Sequence, residues 1–237
     1  MNAKLLAATA MLSLTVAGAA HAVDTVFYGP TPYLSQADAP FHPADFTNFY
    51  LEDVEDNAIN TLGLHVSGPS LCIAGFDCFV GSGLTDSVGN GGNGLLGRSI
   101  WTSGSTTIEF DQSELGTYPT FAGLVWTDGV DPINFEAFDQ NGVSLGGIFD
   151  QHHADGSFAG TLEDDRFYGL THLGGISKLV ITDNPGQEID HIQYGFSVIP
   201  TEHGIPEPAA WTLMLTGFLG LGAMLRRRRA AQTLQGV

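Results

Sequence analysis

The sequence has few basic residues. It contains 8 lysines and arginines against 26 acidic residues, and its formal net charge is −18. Between residues 24 and 205 there are three basic residues, Arg98, Arg166 and Lys178, and twenty-five acidic ones, which gives a net charge of −22. A domain with this charge repels phosphate backbones and anionic lipid surfaces, so we expect no nucleic-acid partner. The same composition offers many oxygen ligands for hard cations.

Short catalytic signatures are also missing. The sequence has no Gly-x-Ser-x-Gly, no phosphate-binding loop, no dinucleotide fingerprint and no zinc-binding histidine spacing. Pairs of acids that could hydrolyse a glycosidic bond are too abundant to single out, because their separation in space is the test. We therefore expect a protein that is not an enzyme, with a secreted hydrolase as the least favoured alternative.

Cysteine is scarce. Cys72 and Cys78 are the two present, and they lie six positions apart. If the protein is exported, the pair is expected to form a disulfide, because that compartment is oxidising. So short a loop should contribute less than the roughly 3 kcal/mol of a 15-residue loop. The alternatives are a redox pair or a metal site, which the absence of Cys-x-x-Cys disfavours.

Long stretches of helical periodicity are absent between residues 24 and 205. Short apolar or alternating runs are separated by Gly, Asn, Asp and Pro instead, a pattern typical of strands. The predicted strands are residues 25–28, 106–110, 121–126, 133–138, 143–149, 176–181 and 189–198. Asn141-Gly142 predicts a hairpin turn between two of them. We expect an all-β fold, namely a two-sheet β-sandwich of jelly-roll type.

A glycine-rich segment interrupts this pattern at residues 81–97. It contains seven glycines and few apolar side chains, and it predicts a long surface loop. Trp101 follows this segment, close to Arg98, so we expect it to be exposed and treat it as a candidate for stacking on a sugar. Trp126 ends an apolar strand and is expected in the core.

The two ends of the chain are apolar. Residues 1–22 have a basic residue near their start, Lys4, then an apolar run, and they end on Ala20-His21-Ala22. This pattern predicts a signal peptide that is removed by signal peptidase. Residues 209–225 have no ionisable side chain and predict a transmembrane helix. The four arginines that follow would keep their end of the helix in the cytoplasm. These membrane-stop residues are Arg226, Arg227, Arg228 and Arg229.

The predicted organisation has four parts. They are a signal peptide and N-terminal helix at 1–22, one extracytoplasmic β-sandwich domain at 23–203, a sorting and anchor segment at 204–229, and a short cytoplasmic tail at 230–237. About 180 residues between the two ends are enough for one domain.

The C-terminal segment carries a resemblance to a known sorting signal. Pro206-Glu207-Pro208, followed by the apolar span and four arginines, is similar to the PEP-CTERM signal. The resemblance implies recognition of these three residues by an exosortase, a membrane-embedded cysteine protease or transpeptidase of Gram-negative bacteria that make exopolysaccharide. It also implies inner-membrane anchoring before processing, and then a place in the cell envelope or extracellular matrix. The two prolines keep the tripeptide extended, where a protease could reach it.

The mature domain has a second resemblance. Its acidic stretch at residues 49–57 is similar to the opening of many proteins of this sorting class, a group without an assigned activity. In addition, Glu52, Glu55 and Asp56, together with Asp190, resemble the acids that hold a structural calcium ion in jelly-roll carbohydrate-binding modules. With backbone carbonyls they could approach the six to eight oxygens that calcium requires. The alternative is that they are solvated surface charges.

Two functions follow from these expectations. The leading hypothesis is an exported, surface- or matrix-associated, non-enzymatic β-sandwich that is sorted through its tail. The alternative is a carbohydrate-binding module whose ligand is exopolysaccharide.

Overall fold

Twelve β-strands make up most of the regular structure in a computed structural model that describes residues 25–88, 96–158 and 160–197. The first six strands are β1 (Thr25–Pro32), β2 (Phe46–Glu52), β3 (Leu64–Ser67), β4 (Cys72–Ala74), β5 (Ser99–Thr102) and β6 (Thr106–Phe110). The last six are β7 (Phe121–Asp128), β8 (Ile133–Asp139), β9 (Ser144–Gln151), β10 (Arg166–His172), β11 (Ile176–Thr182) and β12 (Gln187–Ser197). One α-helical turn, α1 (Gln112–Leu115), and two short 3₁₀ turns, Gln36–Asp38 and Pro43–Asp45, accompany them.

The strands form two antiparallel sheets. The first sheet has the order β1-β10-β7-β12-β5-β4, and the second has the order β3-β6-β11-β8-β9. The long strand β12 pairs with β7 on one edge, and it also pairs with β5 through residues 187–189 and with β2 through residues 192–197. The prediction of an all-β, two-sheet sandwich is confirmed.

The hairpin prediction is also confirmed. Strands β8 and β9 pair antiparallel, and the turn between them contains Asn141 and Gly142. Gly142 adopts a φ of 74° and its N–H donates to the carbonyl of Asp139 at 3.0 Å. Glycine suits this position because it adopts positive φ without a steric penalty.

Two apolar clusters lie on opposite faces of the first sheet. Alternate residues of β7 divide between them, because successive strand side chains point to opposite faces. Ala122, Leu124 and Trp126 belong to the main core between the sheets, which confirms the prediction for Trp126. Phe121 and Val125 belong to a smaller cluster that residues 33–41 cover.

The prediction of a surface loop at residues 81–97 is confirmed for residues 81–84, which are exposed, and is wrong for residues 85–88. Thr85, Asp86, Ser87 and Val88 are buried, and Val88 packs in the smaller apolar cluster. The cause is hydrogen bonding to β12. The N–H of Asp86 donates to the Glu188 carboxylate at 2.7 Å, and the N–H of Val88 donates to the Asp190 carboxylate at 2.9 Å. Carboxylates two residues apart on β12 thus hold N–H groups two residues apart on this segment.

The disulfide prediction is confirmed. Cys72 and Cys78 are bonded, with an S–S distance of 2.07 Å and a Cα–Cα distance of 6.1 Å. The bond closes a tight turn in which the N–H of Gly75 donates to the carbonyl of Cys78 at 2.8 Å.

The predictions for the signal peptide, the sorting motif, the transmembrane helix, the four arginines and the cytoplasmic tail fall on residues outside the described ranges. Within residues 25–88, 96–158 and 160–197, no helix is long and apolar enough to cross a bilayer.

Candidate functional site

A pocket of about 280 Å³ lies where β5, β12 and β7 run side by side in the first sheet. Its aromatic wall is formed by Phe79, Trp101 and Phe158. Its polar groups include the side chains of Asp128 and Glu188. The volume is close to the lower limit of about 300 Å³ for small-molecule sites, so the pocket suits a small ligand.

Strand register positions three of these side chains. Glu188 on β12 is the cross-strand partner of Trp101 on β5 and also of Asp128 on β7. Trp101 and Glu188 are directly opposed in a regular antiparallel pair, so they share a face and have Cβ atoms about 4.5–5.5 Å apart. The register of β12 and β7 shifts between Glu188 and Ile189, and Asp128 lies beside Glu188 at this irregularity and lines the same pocket. Trp101, Glu188 and Asp128 therefore form a row across three adjacent strands, with the aromatic ring at one end.

Loops complete the aromatic wall. The ring of Phe79 packs against Trp101 in an edge-to-face arrangement, with centroids 5.4 Å apart and planes at 88°. Phe79 directly follows Cys78, so the disulfide fixes the chain at this wall. Phe158 and Leu84, from two other loops, also line the pocket and are 53% and 41% exposed. Exposed large apolar groups around a concavity are a feature of binding sites.

The two carboxyl groups of the pocket are buried. Glu188 is 3% exposed and Asp128 is 4% exposed. Burial raises the pKa of Glu188 to about 7, and the nearby charge of Asp190 adds to this effect. The Ser99 hydroxyl and the Asp86 N–H, which both donate to Glu188, oppose it. The protonated form of Glu188 is therefore populated near neutral pH.

The pKa of Asp128 is shifted in the same direction as that of Glu188. Burial raises the pKa of Asp128 to about 8, and the charge of Glu188 raises it further. The N–H of Gly129 donates to the Asp128 carboxylate at 2.5 Å and opposes the shift. Because the two carboxyl groups interact, their apparent pKa values belong to the pair and not to either residue alone. The pocket can both accept and donate hydrogen bonds at neutral pH.

Few cations balance these acids. In the described ranges, every ion pair formed by a carboxylate involves a histidine, and the one with a fully buried carboxylate joins His191 to Asp190 at 3.3 Å. None of the described residues that line the pocket is a lysine, an arginine or a histidine, so no cation there would pair with an anionic ligand.

The structure places the predicted sugar-stacking residue, Trp101, in the wall of this pocket, where it is partly buried. The other pocket residues were missed at the sequence level. Phe79 and Phe158 stand in irregular segments, and Asp128 and Glu188 are two of 26 acidic residues. An acidic residue in or next to an apolar strand is a signal that could have identified the acids, as with Asp128 after the apolar run of β7.

The predicted calcium ligands lie on or near paired strands, because β2 pairs with β12. Their carboxylates already accept protein hydrogen bonds. Glu52 is bonded by the N–H groups of residues 54, 60 and 61. Asp190 is bonded by those of residues 88 and 191, Glu55 by that of Arg98, and Asp56 by that of residue 58. A calcium site at these four residues stays a prediction.

Three potential metal ligands do lie close together elsewhere in the domain. Among the described residues, the group of three that lies within 4.8 Å is Cys72, Asp77 and Cys78. Its two sulfur atoms form the disulfide, so they cannot act as thiolate ligands. This group therefore holds no metal while the disulfide is intact.

Comparison with models of protein families finds no match for this chain, and comparison with curated proteins finds no similar sequence.

Proposed function

We propose that this protein is an exported, non-enzymatic β-sandwich of jelly-roll type that binds carbohydrate through the pocket walled by Phe79, Trp101 and Phe158. The observation that carries the proposal is the row of Trp101, Glu188 and Asp128 across three adjacent strands. It combines an aromatic ring with two carboxyl groups that can bind hydroxyl groups, in a concave site of suitable size.

The strand order supports the jelly-roll assignment. Eight consecutive strands divide into β5-β12-β7-β10 in the first sheet and β6-β11-β8-β9 in the second. Except at the β8–β9 hairpin, the chain changes sheet at each connection from β5 to β12. A double-sheet jelly roll has eight strands arranged as two Greek keys, and this order agrees with it. Strands β1, β3 and β4 extend the edges of the two sheets, and β2 pairs with the part of β12 that β5 does not reach.

The chemistry of the pocket supports a sugar as its ligand. Aromatic rings offer large, rigid contact areas at a low cost in conformational entropy. Buried carboxyl groups form strong hydrogen bonds with hydroxyl and amino groups because few water molecules compete. The described residues that line the pocket include no basic side chain that could pair with a uronate or sulfate group. We therefore expect a neutral or amino sugar as the occupant.

The ends of the chain support the cellular setting. The signal peptide at 1–22, the Pro206-Glu207-Pro208 motif and the apolar span at 209–225 favour export and anchoring in the inner membrane. Exosortase processing would then deliver the domain to the cell envelope or the extracellular matrix. Exopolysaccharide is the glycan available in that setting, and the protein would act there as a surface or matrix component.

Binding experiments with single substitutions test the pocket. Purified protein should be retarded in affinity electrophoresis through gels that contain a neutral or an amino polysaccharide, and not through gels that contain a polyuronate. Trp101→Ala should weaken binding at least about tenfold, which corresponds to about 1.4 kcal/mol. Phe149→Ala is the matched control, because Phe149 is an exposed aromatic residue on β9 of the other sheet and is 51% exposed.

Two results would contradict the proposal. One is the absence of retardation by every polysaccharide tested. The other is equal retardation of wild-type protein and Trp101→Ala, with circular dichroism confirming that both are folded.

Hydrolysis is a second candidate that one observation favours. Asp128 and Glu188 face each other across the strands, and the pKa of each is raised, as a general acid in a glycosidase requires. Release of reducing ends from a polysaccharide that the protein binds, with loss of release in Glu188→Gln, would favour an enzyme. Binding without release would favour the non-enzymatic function.

A further inference from the structure

A polar groove of about 600 Å³ lies at one end of the second sheet. Its floor is formed by residues of β3, β6 and β11, and its walls include the start of α1 and the β8–β9 turn. The volume falls within the range of about 300–1,000 Å³ for small-molecule sites. No described residue lines both this groove and the pocket of the first sheet, so the two concavities are separate.

Strand register places a row of charged side chains on the floor of the groove. Glu109 on β6 is the cross-strand partner of His65 on β3 and of Lys178 on β11. Ile108 and Phe110, the neighbours of Glu109 in the chain, are buried in the core. Because successive strand side chains point to opposite faces, the charged row lies on the outer face of the second sheet.

The charges of Glu109 and Lys178 are not matched to each other. Lys178 is the single lysine between residues 24 and 205. In the part of the chain that the structure describes, every ion pair involves a histidine, so Lys178 forms none. Its ammonium lies 4.1 Å from the centre of the Phe138 ring instead. No described residue donates a hydrogen bond to the Glu109 carboxylate. Both charged ends are therefore free to bind a ligand.

Amide side chains stand on two walls of the groove. Gln112 is exposed on α1, Gln140 is exposed in the β8–β9 turn, and neither side chain is hydrogen-bonded to a described residue. The α1 wall is held in place by Asp111, whose carboxylate accepts from the N–H and the hydroxyl of Ser113, both at 2.7 Å. A wall that is already ordered lowers the entropic cost of binding.

The unmatched groups select the chemistry of the occupant. An anionic ligand would meet Lys178, but Glu109 and the acidic excess of the domain would repel it. A cationic ligand would meet Glu109, but Lys178 would repel it. A hydroxyl group can donate to Glu109 and accept from Lys178, and it can form either kind of hydrogen bond with an amide. A neutral ligand with several hydroxyl groups therefore fits the groove.

We propose that this groove is a second saccharide-binding site, which holds a neutral sugar unit between Glu109 and Lys178 on the floor and the amides of Gln112 and Gln140 on the walls. The groove chemistry alone selects this ligand class. The proposal rests on the proposed function only for the expectation that the same polysaccharide also occupies the pocket.

The two sites lie at opposite ends of β6. The hydroxyl of Thr106, at the start of this strand, lies 2.9 Å from the amide nitrogen of Gln187, which lines the pocket. Phe110, at the end of the strand, lines the groove. One molecule can therefore bind two glycan segments at once, and two linked binding events raise the overall affinity for a polysaccharide above that of either site.

Photo-cross-linking locates the bound sugar. The purified full-length chain is irradiated with a neutral hexasaccharide from galactomannan or xyloglucan that carries a diazirine at its reducing end, and labelled peptides are mapped by mass spectrometry. We expect two labelled regions in the wild-type protein. One contains Phe79 or Trp101 of the pocket, and the other contains Gln112 or Gln140 of the groove.

Substitutions separate the two sites. Lys178→Met keeps an unbranched side chain over the Phe138 ring, and it should lower labelling of the groove by about tenfold at subsaturating probe because a charged hydrogen-bond donor is lost. Labelling of the pocket should not change. Trp101→Ala should have the opposite effect. Gln112→Ala is a second groove variant, and Gln151→Ala is its matched control because Gln151 lies at the far end of β9, outside the groove.

The outcomes distinguish the groove from the pocket. Labelling of the groove alone would support this proposal and contradict sugar binding in the pocket. Labelling of the pocket alone would overturn the groove site and leave the proposed function standing, and labelling of neither would overturn both. Groove labelling that persists unchanged in both Lys178→Met and Gln112→Ala would also overturn the site. So would stronger labelling of the groove by a hexauronate probe than by the neutral one.

Discussion

Glu188 on β12 and Asp128 on β7 are cross-strand partners, and both carboxyl groups are almost completely buried. Like charges directly opposed across strands destabilise a sheet. The pair is therefore compatible with the fold because at least one of the two groups can hold a proton near neutral pH. Burial raises the pKa of Glu188 to about 7 and that of Asp128 to about 8.

This pair should make stability depend on pH. A raised pKa in the folded state means that the folded protein binds more protons than the unfolded chain, so its stabilising effect is complete below pH 4 and is lost as pH rises through about 7 to 8. We expect the free energy of unfolding in urea to fall over this range. In the double variant Asp128→Asn/Glu188→Gln the fall should be smaller.

The control for this prediction is an acid outside the pocket. Asp45 is exposed on a 3₁₀ turn, so Asp45→Asn should keep the pH slope of the wild-type protein. A double variant with an unchanged slope would show that the pocket carboxyls are not the groups that titrate.

The sequence predicted the features that depend on local patterns. Alternation identified strands such as β6 and β8, Asn141-Gly142 identified a hairpin, and the two cysteines identified the disulfide. Each of these signals lies within a few neighbouring residues, so no knowledge of the tertiary structure was needed.

The pocket could not be predicted in the same way. Strand β5 has four residues, and the buried segment at 85–88 has little apolar character. That segment is held by carboxylates 102 positions away in the sequence, a relationship that only the folded sheet creates. The aromatic wall likewise combines residues from separate segments, so no single window of sequence contained it.

Removal of the disulfide should weaken both stability and the pocket. For a loop as short as that between Cys72 and Cys78, the chain-entropy relation gives about 2 kcal/mol. We expect the double variant Cys72→Ser/Cys78→Ser to lose about this amount in urea denaturation. Phe79 follows Cys78 and contacts Trp101, so polysaccharide binding should also weaken.

Reduction of the wild-type protein is the control for the disulfide prediction. It should reproduce the loss of stability without any change in side-chain volume. If reduced and oxidised protein unfold at the same urea concentration, the bond does not stabilise the fold.

The sorting motif should control processing and not export. Replacement of Pro206, Glu207 and Pro208 by alanine should give a protein that crosses the inner membrane and accumulates there uncleaved, because the extended recognition sequence is lost. Fractionation and immunoblotting of the native host measure this. Alanine at Thr201, Glu202 and His203 is the control of equal size, and normal processing of the Pro-Glu-Pro variant would remove the exosortase proposal.

Gln187 should be important for holding the two sheets together. It lies on β12 of the first sheet and is 1% exposed. Its amide nitrogen lies 3.0 Å from the carbonyl of Gly104, 2.9 Å from the hydroxyl of Thr106 and 2.9 Å from the carbonyl of Ile181. Thr106 and Ile181 belong to the second sheet. One buried amide on the first sheet thus contacts polar groups of the second sheet and of the turn between β5 and β6.

Replacement of this amide by an apolar side chain of similar length should leave buried carbonyl groups without a donor. We expect Gln187→Met to lower the free energy of unfolding by about 1–3 kcal/mol, with a lower urea midpoint and an unchanged m value. Gln140→Met is the matched control, because Gln140 is exposed in the β8–β9 turn and should change stability by less than about 0.5 kcal/mol. If both variants unfold at the wild-type midpoint, the contacts of Gln187 do not contribute to the association of the sheets.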